Sequence, residues 1–329
     1  METLCVHMPE PRNLQLVKRE LELKDDEVLV KTYQSSICDA DLRAWQGLLI
    51  PDDLPPDCFP WMGHEGGGVV VALGKKVREF EVGDKVMLFG PHNGMSTHFK
   101  SKVHNLFKAP EGLDMEIACL AEPICVGMFG VFESGVKLGD TVVVAGLNFQ
   151  GLIAVEGLKK SGAEKLIAVD YSDAHLELAK NRGADVLINT TKENAMEAIL
   201  DLTNGQGVDV AYHSCGYWNP LTEDYYNLCI DVTRDEGIVA SVPDMMAPIK
   251  VNLHRFHHHA MDVRFPAFMH HGPEFRKQRF ARLMNPVVQG MIDIKSLITG
   301  SYPLSKIDEA MKKYNEDLDQ VKILITPDS

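Results

Sequence analysis

The sequence predicts an α/β protein of two domains: a β-rich, mostly antiparallel domain and a doubly wound parallel sheet. Three observations predict it. Up to about residue 120, short β-branched or apolar runs alternate with turn-forming residues. From Thr141 onward, strand patterns alternate with helical ones, which implies right-handed crossovers and a parallel sheet with helices on both faces. A length of 329 residues, 45% of them hydrophobic, is enough to build two separate cores. The expected boundaries are 1–122, 123–266 and 267–329, with the last segment returning to the first domain.

In the first domain, 28–33, 68–73 and 85–89 read as strands, separated by turns at 24–26, 51–60 and 81–84. In the second, 141–145 is a buried-strand pattern, 152–161 is helical and 165–170 is again a strand. The series continues with a helix at 175–182, a strand at 185–188, a helix at 193–202, and strands at 208–213, 237–242 and 262–265. Helices near 274–289 and 307–315 and a short strand at 322–325 complete the chain.

Composition narrows the function. A net charge of −14 argues against nucleic acid or an anionic membrane as partner, because both repel an acidic surface. No apolar run reaches the roughly 18 residues of a spanning helix. The first residues lack the basic and apolar regions of a signal peptide, so a cytoplasmic location is expected. The seven cysteines are odd in number and widely spaced, which argues against a disulfide framework. Most are expected to be buried thiols.

The stretch Val142-Val143-Val144-Ala145-Gly146-Leu147-Asn148-Phe149-Gln150-Gly151 is a strand followed by a glycine-bounded turn into a helix. The dinucleotide fingerprint G-x-G-x-x-G is present in degenerate form, with Gly146 first, Gly151 last and Asn148 in the middle. Gly146 permits the tight turn, Gly151 lets helix pack on strand, and the helix start offers N–H groups to phosphate. Asp170 follows 19 residues after Gly151, at the end of the next strand. An acid there accepts from the ribose hydroxyls of NAD and repels the 2′-phosphate of NADP. The competing interpretation is an ordinary glycine turn with Asp170 as a helix cap.

Cys38 is followed 26 residues later by His64, inside Gly63-His64-Glu65, and later by Glu122-Pro123. A thiol, an imidazole and a carboxylate are donors that zinc prefers. Taken singly, Cys38 reads as a buried thiol and His64 as a core histidine.

In this order, and ahead of a dinucleotide fold, these segments resemble the zinc-dependent medium-chain dehydrogenases, and most of all their sorbitol (polyol) and threonine dehydrogenase branch. Ser36-Ile37-Cys38-Asp39-Ala40-Asp41 is similar to the family's cysteine turn, C-G-S/T-D. Gly63-His64-Glu65-Gly66 is similar to its G-H-E segment, and Val82-Gly83-Asp84-Lys85-Val86 to its G-D-R/K-V turn. Glu122-Pro123 is similar to the polyol branch, where glutamate replaces a cysteine. The resemblance covers nearly the whole chain. It implies a GroES-like catalytic domain, a Rossmann domain, and zinc held by Cys38, His64 and either Glu65 or Glu122. It also implies NAD as cofactor, a small alcohol or ketone substrate, and a homodimer or homotetramer.

Three departures qualify the resemblance. Ala40 stands where the family carries a serine or threonine hydroxyl that leads the proton away, and alanine neither donates nor accepts. Arg43 stands where many relatives have a histidine, and arginine is a poor base. Water or Glu65 then takes the proton, while Arg43 meets an anionic part of substrate or cofactor, or a surface acid. The four-cysteine structural zinc lobe is missing between Phe89 and Phe99, so one catalytic zinc per chain and no structural zinc is expected.

Other residues divide between roles. His254, His257, His258, His259, His270 and His271 form a cluster, read here as structural rather than ligating. Trp45, Phe59 and Trp61 fit a pocket wall or the core equally. Asp52, Asp53 and Asp57 read as solvated charges. His213-Ser214-Cys215-Gly216 follows a strand, either near the nicotinamide or as an ordinary loop. The expected activity is hydride transfer between NAD and a polyol, sugar or related secondary alcohol, with domain closure drying the site. The alternatives are a metal-free NAD(P)H-dependent reductase of the same fold and a non-catalytic nucleotide-binding protein.

Overall fold

A computed structural model describes residues 1–48, 62–90, 94–216, 219–243 and 248–328. The expected 51–60 turn, together with Asp52, Asp53, Asp57, Cys58, Phe59 and Trp61, lies outside the described residues. The chain divides into two compact units. One comprises Met1–Pro123, Pro273–Gln278 and Ile294–Ser329; the other comprises Ile124–Gly272 and Arg279–Asp293.

The first unit opens with strands β1 (Glu2–Glu10), β2 (Asn13–Glu20), β3 (Glu27–Ser36), β4 (Glu65–Leu73), β5 (Lys85–Phe89), β6 (His98–Lys102) and β7 (Leu106–Lys108). The second contains β8 (Thr141–Ala145), β9 (Lys165–Asp170), β10 (Val186–Asn189), β11 (Val208–His213), β12 (Thr233–Ser241) and β13 (Asp262–Arg264). The chain then returns to the first unit as β14 (Ile298–Pro303) and β15 (Lys322–Thr326).

In the first unit, β14-β15-β3-β4-β5-β7 form one sheet, with β6 also paired to β3, and β1 and β2 form a separate hairpin. All these pairs are antiparallel except β14 with β15. The glycines ahead of Val69 lie inside β4 rather than in a loop. A Cβ at Gly68 would sit 2.0 Å from the carbonyl oxygen of Lys31, so glycine lets the two strand backbones approach. Val28, Val30, Val70, Val86 and Leu88 point into one core, at the alternate spacing that a half-buried sheet requires. Ile37, Met62, Trp45, Ile323 and Ile325 form another, so Trp45 is a core residue.

The second unit is a six-stranded parallel sheet in the order β10-β9-β8-β11-β12-β13. Strand order reverses between β8 and β11, and ligands of such sheets bind at the carboxyl ends of the strands beside this switch point. Its core joins Val143, Ile167, Val169, Ile188, Ala211 and Val239. These strands read as near-continuous apolar runs because helices cover both faces of a parallel sheet. The fold class is thus the mixed one expected: a GroES-like sheet unit and a Rossmann-type parallel sheet unit.

Element ends moved where caps decide them. The helix expected at 152–161 is Phe149–Lys160, because Asn148 caps it by accepting from the Gly151 amide at 3.0 Å. The helix expected at 193–202 begins at Ala195, with Asn194 accepting from the amides of Met196 and Glu197. Helices Asp39–Gln46, Thr222–Val232 and Leu253–His258 and the β1–β2 hairpin carry no expectation from the sequence.

Candidate functional site

Cys38 and His64 are brought together by an antiparallel pair. β3 ends at Ser36 and β4 begins at Glu65, and Ser35 faces Gly66 across the ladder. Cys38 leaves the end of one strand while His64 enters the start of the other. Cys38 is also the N-cap of helix Asp39–Gln46. Asp41, in the first turn of that helix, ties the two segments together: Oδ2 accepts from the Cys38 amide at 2.9 Å and Oδ1 from the Gly63 amide at 3.0 Å. His64 Nδ1 faces Asp41 Oδ1 at 3.7 Å. Asp41 therefore fixes the backbone of both candidate ligand segments and places its carboxylate near the His64 ring.

Ligand atoms of Cys38, His64 and Glu65 all lie within 4.8 Å of one another. Zinc takes thiolate, imidazole and carboxylate donors at about 2.0–2.3 Å, so this span and this donor set fit one such ion. Glu122, at the start of helix Ala121–Glu133, stays outside that group, although its charge acts on His64 and Glu65.

Glu65 is fully buried and already compensated. Lys322 Nζ donates to its two oxygens at 2.8 and 3.2 Å, and the Ser36 hydroxyl donates to the same carboxylate. Lys322 is itself buried and also donates to the Ile37 carbonyl at 3.3 Å. It arrives there because β15 pairs with β3, and the Ile37 amide donates to the Ile323 carbonyl at 2.9 Å.

The charges follow from this packing. Burial alone would raise the Glu65 carboxyl, but the Lys322 ammonium, His64 and the two side-chain donors outweigh it and hold it below its usual value. Burial pushes Glu122 up to about 7, Glu65 adds to the rise, and His64 and Lys322 oppose it. Burial, then the nearby Glu65 charge, raises the Cys38 thiol, the condition a cation at the cluster would reverse.

Arg43, expected among the catalytic residues, lies on helix Asp39–Gln46. Its Nη1 donates to Gln46 Oε1 at 2.6 Å, and Gln46 in turn donates to Asn315. Arg276, which the sequence did not single out, is buried, donates weakly to the Phe89 carbonyl at 3.4 Å and interacts electrostatically with Glu122. Lys322, Asp41 and Arg276 were missed for one reason: each gains its role only from neighbours distant in sequence. Asp41 alone left a local sign, an acid at the third position of a helix.

In the second unit, Gly146 adopts φ +90°, and a Cβ there would lie 2.7 Å from the Cys215 amide nitrogen. A Cβ at Gly151 would lie 2.2 Å from the Gly146 carbonyl oxygen. Both glycines are thus sterically required. Asn148 acts through its side chain: Oδ1 accepts from Gly151 and from the Ser214 hydroxyl at 2.8 Å. Asp170 is buried. It accepts from the Leu147 amide at 2.8 Å and the Ser172 amide at 2.9 Å, and His175 Nδ1 stands 3.4 Å away. The amides of Leu147 and Gly151 therefore have acceptors within the protein. A carboxylate has about four lone-pair sites, so these bonds leave Asp170 capacity for further donors. His213 is buried beside the Ser241 hydroxyl, and burial lowers its pKa to about 3, so it is neutral.

Residues 24–132 match the family model of the alcohol dehydrogenase GroES-like domain, and residues 151–284 match that of zinc-binding dehydrogenases. Sorbitol dehydrogenase of Bacillus subtilis (strain 168) is 26% identical over 339 residues, covering 93% of this chain and 92% of that protein. The (R,R)-butanediol dehydrogenase of the same organism is 27% identical, covering 94% of each. The fold is similar to that of benzyl alcohol dehydrogenase from Acinetobacter calcoaceticus, with a TM-score of 0.86 at 22% identity over 100% of both chains.

Proposed function

Since the chain belongs to the zinc-type medium-chain dehydrogenases, we propose that it transfers a hydride between NAD and the carbinol carbon of a polyol, sugar or related secondary alcohol. The observation that carries this reading is the Cys38–His64–Glu65 group, half-buried at Cys38 and buried at His64 and Glu65, whose donor atoms converge within 4.8 Å. These three residues would hold one zinc ion, with Glu122 as the alternative carboxylate. Zinc, when bound, supplies Lewis acidity that makes an alcohol hydroxyl easier to deprotonate.

The chain's own residues do the rest. Asp41 fixes the backbone at Cys38 and Gly63, and its carboxylate lies near the His64 ring. Lys322 and Ser36 hold the Glu65 carboxylate in place and ionised. Ala40 has no hydroxyl, so the departing proton passes to water or to Glu65. Gly146, Asn148 and Gly151 shape the turn that receives the dinucleotide. The buried charge of Asp170 favours the ribose hydroxyls of NAD over a 2′-phosphate. The sorbitol and butanediol specificities of the two relatives support a substrate with a secondary hydroxyl beside another oxygen. A homodimer or homotetramer fits the family. No helix of the described residues is long and apolar enough to cross a membrane.

The test combines metal analysis with kinetics. Purified protein is expected to carry one zinc per chain, to lose activity on chelation and to regain it with zinc. A screen of polyols, amino alcohols and sugars is expected to find a substrate oxidised with NAD in preference to NADP. Full activity in a zinc-free, chelator-treated sample would establish the metal-free reductase instead. Tight NAD binding without turnover across the panel would establish a binding protein.

A further inference from the structure

Arg276 stands in the first turns of helix Pro273–Val288, in the part of it that belongs to the first unit. It is only 7% exposed. A guanidinium carries five N–H donors in a planar fork. Among the described residues these donors make one bond, from Nη1 to the Phe89 carbonyl at a long 3.4 Å, and Nε has no acceptor. No carboxylate of the described residues forms an ion pair with Arg276; Glu122 acts on it only through its electrostatic field. A buried cation held by one distant, neutral acceptor is costly unless a further partner completes it.

The location of this cation suggests what that partner is. Phe89, whose carbonyl anchors Arg276, faces Glu65 across the β4–β5 ladder. Glu122 lies between the two regions electrostatically: it acts on Arg276, and His64 and Glu65 act on it. Burial, then the charges of Lys102, Arg276 and Lys277, lowers the His104 pKa against the opposing Asp26, so the flank of the unit around Arg276 is cationic. A guanidinium recognises phosphate and carboxylate through two parallel N–H···O bonds, which one backbone carbonyl cannot supply. We propose that Arg276 is a specificity-determining residue that receives an anionic group, phosphate or carboxylate, at the end of the substrate remote from the reacting hydroxyl. Resting on the reading of hydride transfer at the Cys38–His64–Glu65 group, it narrows the substrate from a neutral to an anionic alcohol.

The zinc-loaded chain is assayed with NAD on a neutral polyol, the matching polyol phosphate and the matching aldonate. Calorimetry with inorganic phosphate and with acetate gives a readout independent of turnover. The parent is expected to prefer one of the two anions over the neutral polyol, and the preferred one distinguishes phosphate from carboxylate. Arg276→Gln is expected to lower kcat/KM for that anion roughly 100-fold, mainly through KM, and to weaken binding of the corresponding small anion to a similar extent. Arg276→Lys keeps the charge without the fork and is expected to recover part of both losses. Urea unfolding of each variant guards against loss of fold. A parent that prefers the neutral polyol, or an unchanged anion-to-neutral ratio in folded Arg276→Gln, would overturn the proposal and leave Arg276 as a structural counter-charge to Glu122. Failure of the hydride-transfer reading would look different, with no alcohol of any charge turned over. Calorimetry would then decide alone: anion binding lost in Arg276→Gln would support the site, and binding unchanged or absent in the parent would overturn it.

Discussion

Around Glu65 in the first unit, four ionisable side chains are buried side by side: a carboxylate, an imidazole, an ammonium and, close by, the carboxyl of Glu122. Around Gly146 in the second unit, the polar groups are mostly backbone, and Asp170 and Asn148 answer the amides nearest to them. The first region holds charge that its surroundings only partly balance, which shows in the opposite displacements of Glu65 and Glu122. The second stores no such conflict, and its precision comes from two positions where any side chain collides. The proposed reactive centre and the proposed dinucleotide cradle thus differ in what holds them: charge compensation in one, steric exclusion in the other.

The sharpest way to break this contrast is to remove Lys322. Lys322→Met leaves the Glu65 carboxylate buried without its cation and is expected to cost about 3–5 kcal/mol in urea unfolding. Adding Glu65→Gln is expected to restore most of that stability. A loss below about 1 kcal/mol in the single variant would show that the first region does not depend on charge balance.

Glu122 gives the next largest effect, and it depends on pH. Its folded pKa, about 7, lies above the ordinary value of 4.5, so the fold favours the protonated form. No penalty exists below pH 4.5; stability falls as pH rises from there to about 7 and then levels. In chelator-treated protein, Glu122→Gln is expected to match the parent near pH 4 and to exceed it by up to about 3 kcal/mol above pH 7. Parallel melting profiles for parent and variant would contradict the assigned direction.

In the cradle, Gly151→Ala places a methyl against the Gly146 carbonyl and is expected to cost about 1–3 kcal/mol of stability, together with weaker NAD binding. Its effect is expected to be independent of pH, unlike that of Glu122. A pH-dependent loss would mean that charge also governs this region.

Asp170→Asn is expected to have the smallest effect on stability, about 1 kcal/mol, because one buried amide acceptor is impaired. Its informative readout is cofactor choice: the ratio of kcat/KM for NAD to that for NADP is expected to fall. An unchanged ratio would confine Asp170 to its bonds with Leu147 and Ser172.

The alternation of strands and helices after Thr141 was legible because parallel strands are apolar on both faces and turns are short. The donors Cys38, His64 and Glu65 were legible as residue types. The helix at 222–232 was not: its apolar positions do not stand out beside Glu223 and Asp224 in the first turn. Arg43 was conspicuous in the sequence, but its bond to Gln46 on its own helix was not legible there.

The sequence by itself determined the two sheets, the glycine turn at 146–151 and the donor types at 38, 64 and 65, because periodicity, turn chemistry and ligand chemistry act over a few residues. Only the tertiary structure decided that Lys322, 257 positions from Glu65, compensates it. It also decided that Asp41 joins the cysteine and histidine segments and that Glu122 rises while Glu65 falls. Those outcomes depend on which strands pair and what water is excluded, and a buried charge is set by every neighbour the fold brings to it.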